Sequence, residues 1–126
     1  MDKSQIKILV AEDDPLYGKV YQSKLSKEGY EVILVTNGKD AVDKANSEKP
    51  KLILLDIIMP ILDGFEALKQ IKARPENKDV KVLIMSNLSQ DSDMEKAKNY
   101  GAYEYLVKSN ISITELVEKI NKLVLE

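Results

Sequence analysis

The chain has 126 residues, the usual size of one domain, and contains no histidine, cysteine or tryptophan. This composition excludes disulfides, thiol chemistry, histidine acid–base catalysis and the common zinc ligands, so a bound metal would be held by oxygen. The formal net charge is −2, from 19 basic and 21 acidic residues, and the dispersed lysines form no basic stretch typical of nucleic-acid binding.

No membrane-spanning segment or secretory leader is indicated by the sequence. The apolar runs are far shorter than a membrane span, and the first five residues lack the apolar core of a signal peptide. We therefore expect a soluble cytoplasmic protein.

Short apolar runs alternate with segments of helical period along the whole chain. The runs are rich in Val, Ile and Leu, as buried parallel strands are, and lie at residues 6–10, 32–35, 52–55, 80–85 and 103–107. The intervening helices are indicated by Asp14-Pro15, Gly38, Gly64, Asp91 or Ser92, and the capping box Ser112–Glu115, while Gly101 is expected to end the fourth helix. Five strands alternating with five helices predict an open parallel α/β sheet covered on both faces.

Charged and polar residues follow four of the five predicted strands. In such sheets ligands bind outside the carboxyl ends of the strands, which all lie at one edge. The residues expected at this edge are Glu12, Asp13, Asp14, Asp56, Ser86 and Lys108. Asp14 precedes a proline and is more readily explained as a helix cap than as a ligand.

The chemistry of this cluster indicates phosphoryl transfer. Two like charges about 4 Å apart repel by roughly 4 kcal/mol at an effective dielectric near 20, so the carboxylates favour a hard divalent cation such as Mg²⁺, or Mn²⁺ in its place. A lysine and a hydroxyl can neutralise and bind phosphoryl oxygens, while a carboxylate such as that of Asp56 can act as the nucleophile and form an aspartyl phosphate.

The motifs resemble the receiver domain of two-component response regulators, in particular the single-domain, chemotaxis-regulator-like members. The resemblance rests on residues 8–15 (ILVAEDDP), residues 54–64 (LLDIIMPILDG), Ser86, and residues 105–108 (YLVK). It covers essentially the whole chain, 1–126, as one receiver domain. It implies a doubly wound, flavodoxin-like sheet with strand order 2-1-3-4-5.

The resemblance also implies a role for each residue of the cluster. Glu12 and Asp13 would bind Mg²⁺ together with Asp56, the phosphoacceptor, and the main-chain carbonyl of Ile58 would be a further ligand. Lys108 would pair with the phosphoryl group. Two residues would report the state of the switch, namely Ser86, by its hydroxyl, and Tyr105, by a change of rotamer.

The implied function is a phosphorylation-dependent switch rather than a conventional enzyme. Asp56 would receive its phosphoryl group from a histidine kinase or phosphotransfer protein, and the chain would catalyse only its own phosphorylation and dephosphorylation. The surface formed by the fourth helix, fifth strand and fifth helix would then bind a protein effector, or act on an output domain outside this sequence. No direct contact with nucleic acid or membrane is implied, and the chain would be a monomer or a phosphorylation-dependent homodimer.

Two positions depart from the family pattern, and two other functions stay open. Ser109 follows Lys108 where the family usually has a proline, often after a cis bond, so we expect a different loop there. Asn87 follows Ser86 where the family usually has a small residue. The alternatives are a small Mg²⁺-dependent phosphohydrolase using an aspartyl phosphate, which the isoleucine at position 58 disfavours, and a flavin-binding module, which the acidic first loop disfavours.

Overall fold

The computed structural model describes residues 2–125 and contains one parallel five-stranded sheet in the order β2-β1-β3-β4-β5. The strands are β1 (Lys7–Ala11), β2 (Glu31–Val35), β3 (Leu52–Leu55), β4 (Lys81–Ser86) and β5 (Glu104–Val107). The five helices are α1 (Pro15–Lys27), α2 (Gly38–Glu48), α3 (Gly64–Ala73), α4 (Asp91–Asn99) and α5 (Ile113–Leu125). The predicted fold class, element order and strand order are confirmed.

The first strand begins one residue later than its apolar run. Ile6 is buried like the strand residues, but its N–H donates to the carbonyl of Lys3 at 2.9 Å and closes the short 3₁₀ turn Lys3–Gln5. A residue whose donor is used in this way cannot also pair across the sheet through that donor. The strand therefore starts at Lys7 and gains Ala11 at its other end.

Alternate residues of each strand enter two separate cores. In β1, Ile8 and Val10 face the layer of α1 and α5, whereas Leu9 and Ala11 face the layer of α2, α3 and α4. Both sets are nearly inaccessible to solvent because β1 lies inside the sheet and is covered on both sides. Because both faces of the sheet are covered, the polar residues of the candidate site lie at the ends of the strands.

Two glycines hold the loop between β3 and α3 against its neighbours. A Cβ atom on Gly64 would lie 2.1 Å from the carbonyl oxygen of Asp56, and one on Gly38 would lie 2.0 Å from the carbonyl oxygen of Leu62. Both collisions are with backbone, which cannot turn aside as a side chain can. The absence of a side chain at Gly64 therefore lets α3 begin directly against the backbone of Asp56.

The end of α4 forms as predicted. Gly101 has φ +102°, its N–H donates to the carbonyl of Lys98 at 3.0 Å, and the N–H of Ala102 donates to the carbonyl of Ala97 at 3.0 Å. This pair of bonds is the Schellman arrangement, which a glycine accommodates without strain. Across residues 2–125, none of the helices combines the length and apolarity needed to traverse a bilayer.

Candidate functional site at the carboxyl edge of the sheet

Glu12 is buried immediately after β1, with 2% of its surface exposed. Its Oε1 lies 2.6 Å from Nζ of Lys108, and its Oε2 accepts the N–H of Asp14 at 3.1 Å. Asp14 in turn caps α1, because its Oδ1 accepts the N–H groups of Leu16 and Tyr17. Asp14 therefore acts as the helix cap that the sequence predicts, and Glu12 points into the cluster.

Asp56 follows β3 and is held from three directions. Its N–H donates to the carbonyl of Ala11 at 3.0 Å, which continues the sheet one residue beyond the strand. Its side chain accepts the N–H of Ile57 through Oδ1 at 2.7 Å and the ammonium of Lys108 through Oδ2 at 3.0 Å. Only 7% of the residue is exposed, so this carboxylate has a fixed orientation.

Lys108 bridges the two buried carboxylates. Its side chain is 6% exposed, and Nζ also lies 4.6 Å from the centre of the Tyr17 ring. A cation over an aromatic face is attracted to the ring, so Tyr17 forms one wall of the ammonium's surroundings. This role of Tyr17 was not predicted from the sequence.

The pKa values reflect this crowding of charge. Burial, opposed by the bond to Lys108 and reinforced by Asp56, raises the pKa of Glu12 to about 7. Burial by itself would lower the pKa of Lys108, but its bonds to Glu12 and Asp56 outweigh burial and raise it. Glu12 is therefore easier to protonate than an ordinary carboxylate, whereas the same contacts favour the charged form of Lys108.

The acidic cluster has the chemistry of a hard-metal site. Glu12, Asp13 and Asp56 each offer a carboxylate oxygen, and these oxygens lie within 4.8 Å of one another. Together with Lys108 they carry three negative charges and one positive charge when all are ionised, which leaves an excess of negative charge. An all-oxygen donor set with excess negative charge fits Mg²⁺. Asp13, the exposed member, is accessible to an incoming cation.

Ser86 and Tyr105 meet at the loop after β4. The hydroxyl of Ser86, a residue 1% exposed, accepts the N–H of Leu88 at 3.1 Å, and the hydroxyl of Tyr105 donates to the carbonyl of Leu88 at 2.5 Å. Burial raises the pKa of the Tyr105 hydroxyl, which keeps it protonated as a donor. Ser86 and Tyr105 are thus both bonded to the backbone of Leu88.

The two departures from the family pattern are bonded to each other. Oδ1 of Asn87 accepts the N–H of Ser109 at 3.1 Å, a donor that a proline would lack. Among residues 2–125 no peptide bond is cis, so the peptide between Lys108 and Ser109 is trans. The sequence identifies Asn87 and Ser109 as separate departures from the family pattern, but it does not predict the hydrogen bond between them.

These residues surround one open cleft. The space is about 480 Å³, and its walls are formed by the two acidic loops, the loop after β4 and Lys108. Ile58 is 63% exposed and lines this cleft, as does Leu88. All the predicted site residues except Tyr105 line the cleft, and Tyr105 reaches it indirectly through Leu88.

Comparisons with known proteins agree with this geometry. PilH of Pseudomonas aeruginosa is 36% identical over 102 residues, which cover 81% of this chain and 84% of PilH. The alkaline phosphatase synthesis transcriptional regulatory protein PhoP of Bacillus subtilis is 35% identical over 81% of this chain, but the match spans only 42% of PhoP.

A solved structure shares the fold across nearly the full length. The receiver domain of a sensor histidine kinase from Pseudomonas aeruginosa PAO1, described with a magnesium ion coordinated in its active-site cleft, superposes with a TM-score of 0.86. It is 29% identical, and the match covers 96% of this chain and 98% of that domain.

The family model described as the response regulator receiver domain matches residues 8–121. Receiver domains are signalling switches of two-component systems rather than conventional enzymes, so the phosphohydrolase and flavin-binding alternatives are set aside. The chain belongs to the response regulator receiver domain family.

Proposed function

We propose that this receiver domain is switched by phosphorylation of Asp56, with a histidine kinase or phosphotransfer protein as the donor. The observation that carries the proposal is the position of the Asp56 carboxylate. It lies in an open cleft, bonded to the Lys108 ammonium at 3.0 Å and close to the carboxylates of Glu12 and Asp13. A nucleophile, a cation and a metal-binding set are therefore in one place.

The chemical step needs little from the protein beyond positioning and charge. A carboxylate oxygen of Asp56 attacks phosphorus, the bond between phosphorus and the donor's nitrogen breaks, and the electron pair of that bond stays on the donor's imidazole. The Ile57 N–H on Oδ1 and the Lys108 ammonium on Oδ2 orient the carboxylate before attack. Lys108 can also hold negative charge on the transferred group as it develops.

Glu12, Asp13 and Asp56 would hold Mg²⁺, with Mn²⁺ as a substitute and the main-chain carbonyl of Ile58 as a further ligand. The bound metal would neutralise negative charge on the phosphoryl oxygens. Support comes from the oxygen-only donor set and from the related receiver domain whose cleft coordinates magnesium.

Switching would follow from bonds that phosphorylation disturbs. The Ser86 hydroxyl accepts the Leu88 N–H and still has its own proton to donate to a phosphoryl oxygen, while Tyr105 is bonded to the carbonyl of Leu88. A swing of the Ser86 side chain toward the phosphoryl group would disturb its bond to Leu88. Movement of this loop would thus move Tyr105 too. Phosphorylation shifts the population toward the moved state only because the phosphoryl group binds that state better.

The output surface would be the exposed side of α4, β5 and α5. Tyr103, which is 54% exposed, lies just before β5 there, with the Lys81 ammonium 5.5 Å from its ring centre. The partner would be a protein effector or an attached output domain, and the chain would be a cytoplasmic monomer or a phosphorylation-dependent homodimer. Residues 1–126 would form one receiver domain.

The test is mass spectrometry after incubation with acetyl phosphate and Mg²⁺. Wild type should gain the mass of one phosphoryl group, and Asp56→Asn should gain none while keeping its helical circular dichroism. Asp43→Asn removes an exposed carboxylate of α2 that pairs with Lys39, and it should be phosphorylated like wild type. Phosphorylation of the Asp56→Asn protein at the wild-type rate would show that Asp56 is not the acceptor.

A further inference from the structure

The last residue of β4, Ser86, and the two loop residues that follow it take part in three hydrogen bonds of the site. Ser86 accepts the N–H of Leu88, Leu88 accepts the hydroxyl of Tyr105, and Asn87 accepts the N–H of Ser109. The first two bonds belong to the switch discussed above. The third bond instead ties this loop to the turn that carries Lys108.

The Ser109 N–H is a donor with no partner inside its own turn. Residues Lys108–Asn110 form a single 3₁₀ turn after β5, and the first N–H groups of any helical turn lack an internal acceptor. No side chain of this turn caps it, and Val107 at the cap position contributes no side-chain bond. Oδ1 of Asn87, 3.1 Å away on the neighbouring loop, fills that position instead.

The bond also fixes which way the Asn87 amide is turned. An N–H donor can be accepted only by the amide oxygen, so Oδ1 must face Ser109 and Nδ2 must face away. Because Asn87 lines the cleft, the bond crosses its rim beside Lys108.

Lys108 needs such support because its ammonium must satisfy three neighbours at once. Nζ lies 2.6 Å from Glu12, 3.0 Å from Asp56 and 4.6 Å from the centre of the Tyr17 ring. A shift of the backbone that follows Lys108 would move the ammonium away from Asp56. Among the described hydrogen bonds, the one from Ser109 to Asn87 is the contact that joins this turn's backbone to another loop of the site.

We propose that Asn87 is a positioning residue for phosphoryl transfer, acting through the Ser109 N–H to hold Lys108 against Asp56. Asn87 itself need not touch the phosphoryl group. The proposal rests on the proposed function, because it assigns Asn87 a part in the phosphorylation of Asp56. It also makes a claim about the position of Lys108 that is independent of phosphorylation.

The kinetic test measures the maximal rate of Asp56 phosphorylation at saturating acetyl phosphate and Mg²⁺. Asn87→Ala removes the acceptor, and Ser109→Pro removes the donor. Loss of one hydrogen bond should slow the reaction by about three- to tenfold in each case. Ser109→Ala changes the same side chain but keeps the N–H, so it should react faster than Ser109→Pro by a similar factor. Asn110→Ala, an exposed substitution in the same turn, is the control and should react like wild type.

Two double variants show whether the two residues act together and through Lys108. Asn87→Ala combined with Ser109→Pro should be no slower than the slower single variant, because both remove the same bond. In a Lys108→Ala background, Asn87→Ala should have no further effect on the residual rate. An effect of Asn87→Ala that persists undiminished without Lys108 would overturn the proposal and leave Asn87 as a general structural residue.

A spectroscopic readout tests the position of Lys108 without any phosphoryl donor. The Lys108 side chain lies over the Tyr17 ring, so ring currents should shift its terminal methylene resonances. Asn87→Ala and Ser109→Pro should each move these resonances toward ordinary lysine values. Asn87→Ala should also speed hydrogen exchange of the Ser109 amide, which has lost its acceptor. Unchanged Lys108 resonances in both variants would overturn the proposal even if their rates fell.

The outcomes separate this inference from the proposed function. If wild type takes up no phosphate, the proposed function fails and this inference fails with it. If wild type is phosphorylated and Asn87→Ala reacts at the same rate, only the positioning role is wrong. Melting temperatures should be recorded for every variant, since a folded Asn87→Ala protein is sufficient to decide the matter even if Ser109→Pro does not fold.

Discussion

Lys72 and Lys108 lie at opposite ends of the sheet, and both place an ammonium among protein oxygens. Lys72, on α3, donates to the main-chain carbonyls of Asn77 at 3.2 Å, Lys78 at 3.2 Å and Val80 at 2.5 Å, at the amino end of β4. Lys108, after β5, pairs instead with the carboxylates of Glu12 and Asp56. One end of the sheet therefore surrounds its lysine with neutral dipoles and the other with negative charge.

The two environments shift the lysine pKa values in opposite directions. Burial lowers the pKa of Lys72 and outweighs the opposing charge of Asp79. The pKa of Lys108 is raised, because two carboxylates outweigh its burial. The acceptors bonded to Lys72 are neutral carbonyls, whereas the acidic cluster beside Lys108 carries more negative charge than the lysine neutralises. Only the Lys108 end can therefore attract both a metal cation and a phosphoryl group.

The sharpest test of this comparison replaces each lysine by alanine. Lys108→Ala should slow the phosphorylation of Asp56 on the order of a hundredfold without abolishing it, because one charge-stabilising donor is lost. It should also uncouple Tyr105, so that a beryllofluoride phosphate mimic no longer changes the Tyr105 ring resonances. Lys72→Ala should lower the free energy of unfolding by about 1–3 kcal/mol while leaving the phosphorylation rate close to wild type.

The measurements are phosphorylation rates, ring resonances and urea unfolding on the same pair of proteins. A full Tyr105 response in Lys108→Ala would show that Lys108 is not the link to the switch. Equal losses of phosphorylation in the two variants would remove the distinction between the two ends of the sheet.

The metal response should also be confined to the carboxyl end. Mg²⁺ at about a hundred times its dissociation constant should stabilise wild type by about 3 kcal/mol, because it binds the folded carboxylate cluster. Replacing both Glu12 and Asp13 by alanine should remove this rise in melting temperature. The metal-free double variant should melt at the same temperature as wild type or higher, since mutual repulsion with Asp56 has been removed. An unchanged Mg²⁺ response would exclude Glu12 and Asp13 as ligands.

The charged cluster at the carboxyl end of the sheet could be predicted from the sequence. Asp56 and Lys108 directly follow apolar runs, and Glu12 lies two residues after one. Parallel strands bring their carboxyl ends to one edge, so the convergence of these three residues follows from topology. The runs themselves are unambiguous because strands covered on both faces need continuous apolar residues.

The amino end could not be predicted in the same way. Lys72 lies inside a helix and looks like any solvated lysine, since its partners are carbonyls that exist at every residue. The bond between Asn87 and Ser109 likewise joins positions 22 residues apart in two loops, whose approach depends on turn geometry. Val20, the neighbour of the buried Tyr21 on α1, is 40% exposed and lies in the groove between α1 and α5, which its residue type does not reveal.

The acidity of Glu12 gives a smaller, pH-dependent test. Its pKa is about 7 in the folded protein against an ordinary value of 4.5, so the folded state binds the proton more tightly. This contributes stability that is complete below pH 4.5 and is lost as the pH rises through about 7. Without divalent metal, the free energy of unfolding should fall on the order of 1–3 kcal/mol across that range.

Urea unfolding in a chelating buffer at acidic and mildly alkaline pH would measure this loss. Glu12→Gln should flatten the pH dependence, because the amide does not titrate. A slope that survives in Glu12→Gln would assign the titration to another group.

The smallest expected effect concerns the lifetime of the phosphorylated state. Hydrolysis needs a water in line behind phosphorus, and the cleft wall on the approach carries Ile58 and Leu88. These apolar side chains offer water no hydrogen-bond partner, and the Asn87 oxygen is oriented toward the Ser109 N–H. We therefore expect self-dephosphorylation over many minutes rather than seconds, suited to a sustained response.

Ile58 and Leu88 should contribute unequally to the lifetime of the phosphorylated state. Ile58 is 63% exposed at the cleft, whereas Leu88 is half-buried and also packs against the core beneath α2–α4. After removal of the donor with Mg²⁺ present, Ile58→Ser should shorten the half-life several-fold and more than Leu88→Ser, because Ile58 blocks more of the open approach. Ile61→Ser is the matched control, since Ile61 is a 77% exposed residue of the same loop outside the cleft wall. A wild-type half-life of seconds, or equal rates for the Ile58 and Ile61 variants, would show that apolar shielding does not set the lifetime.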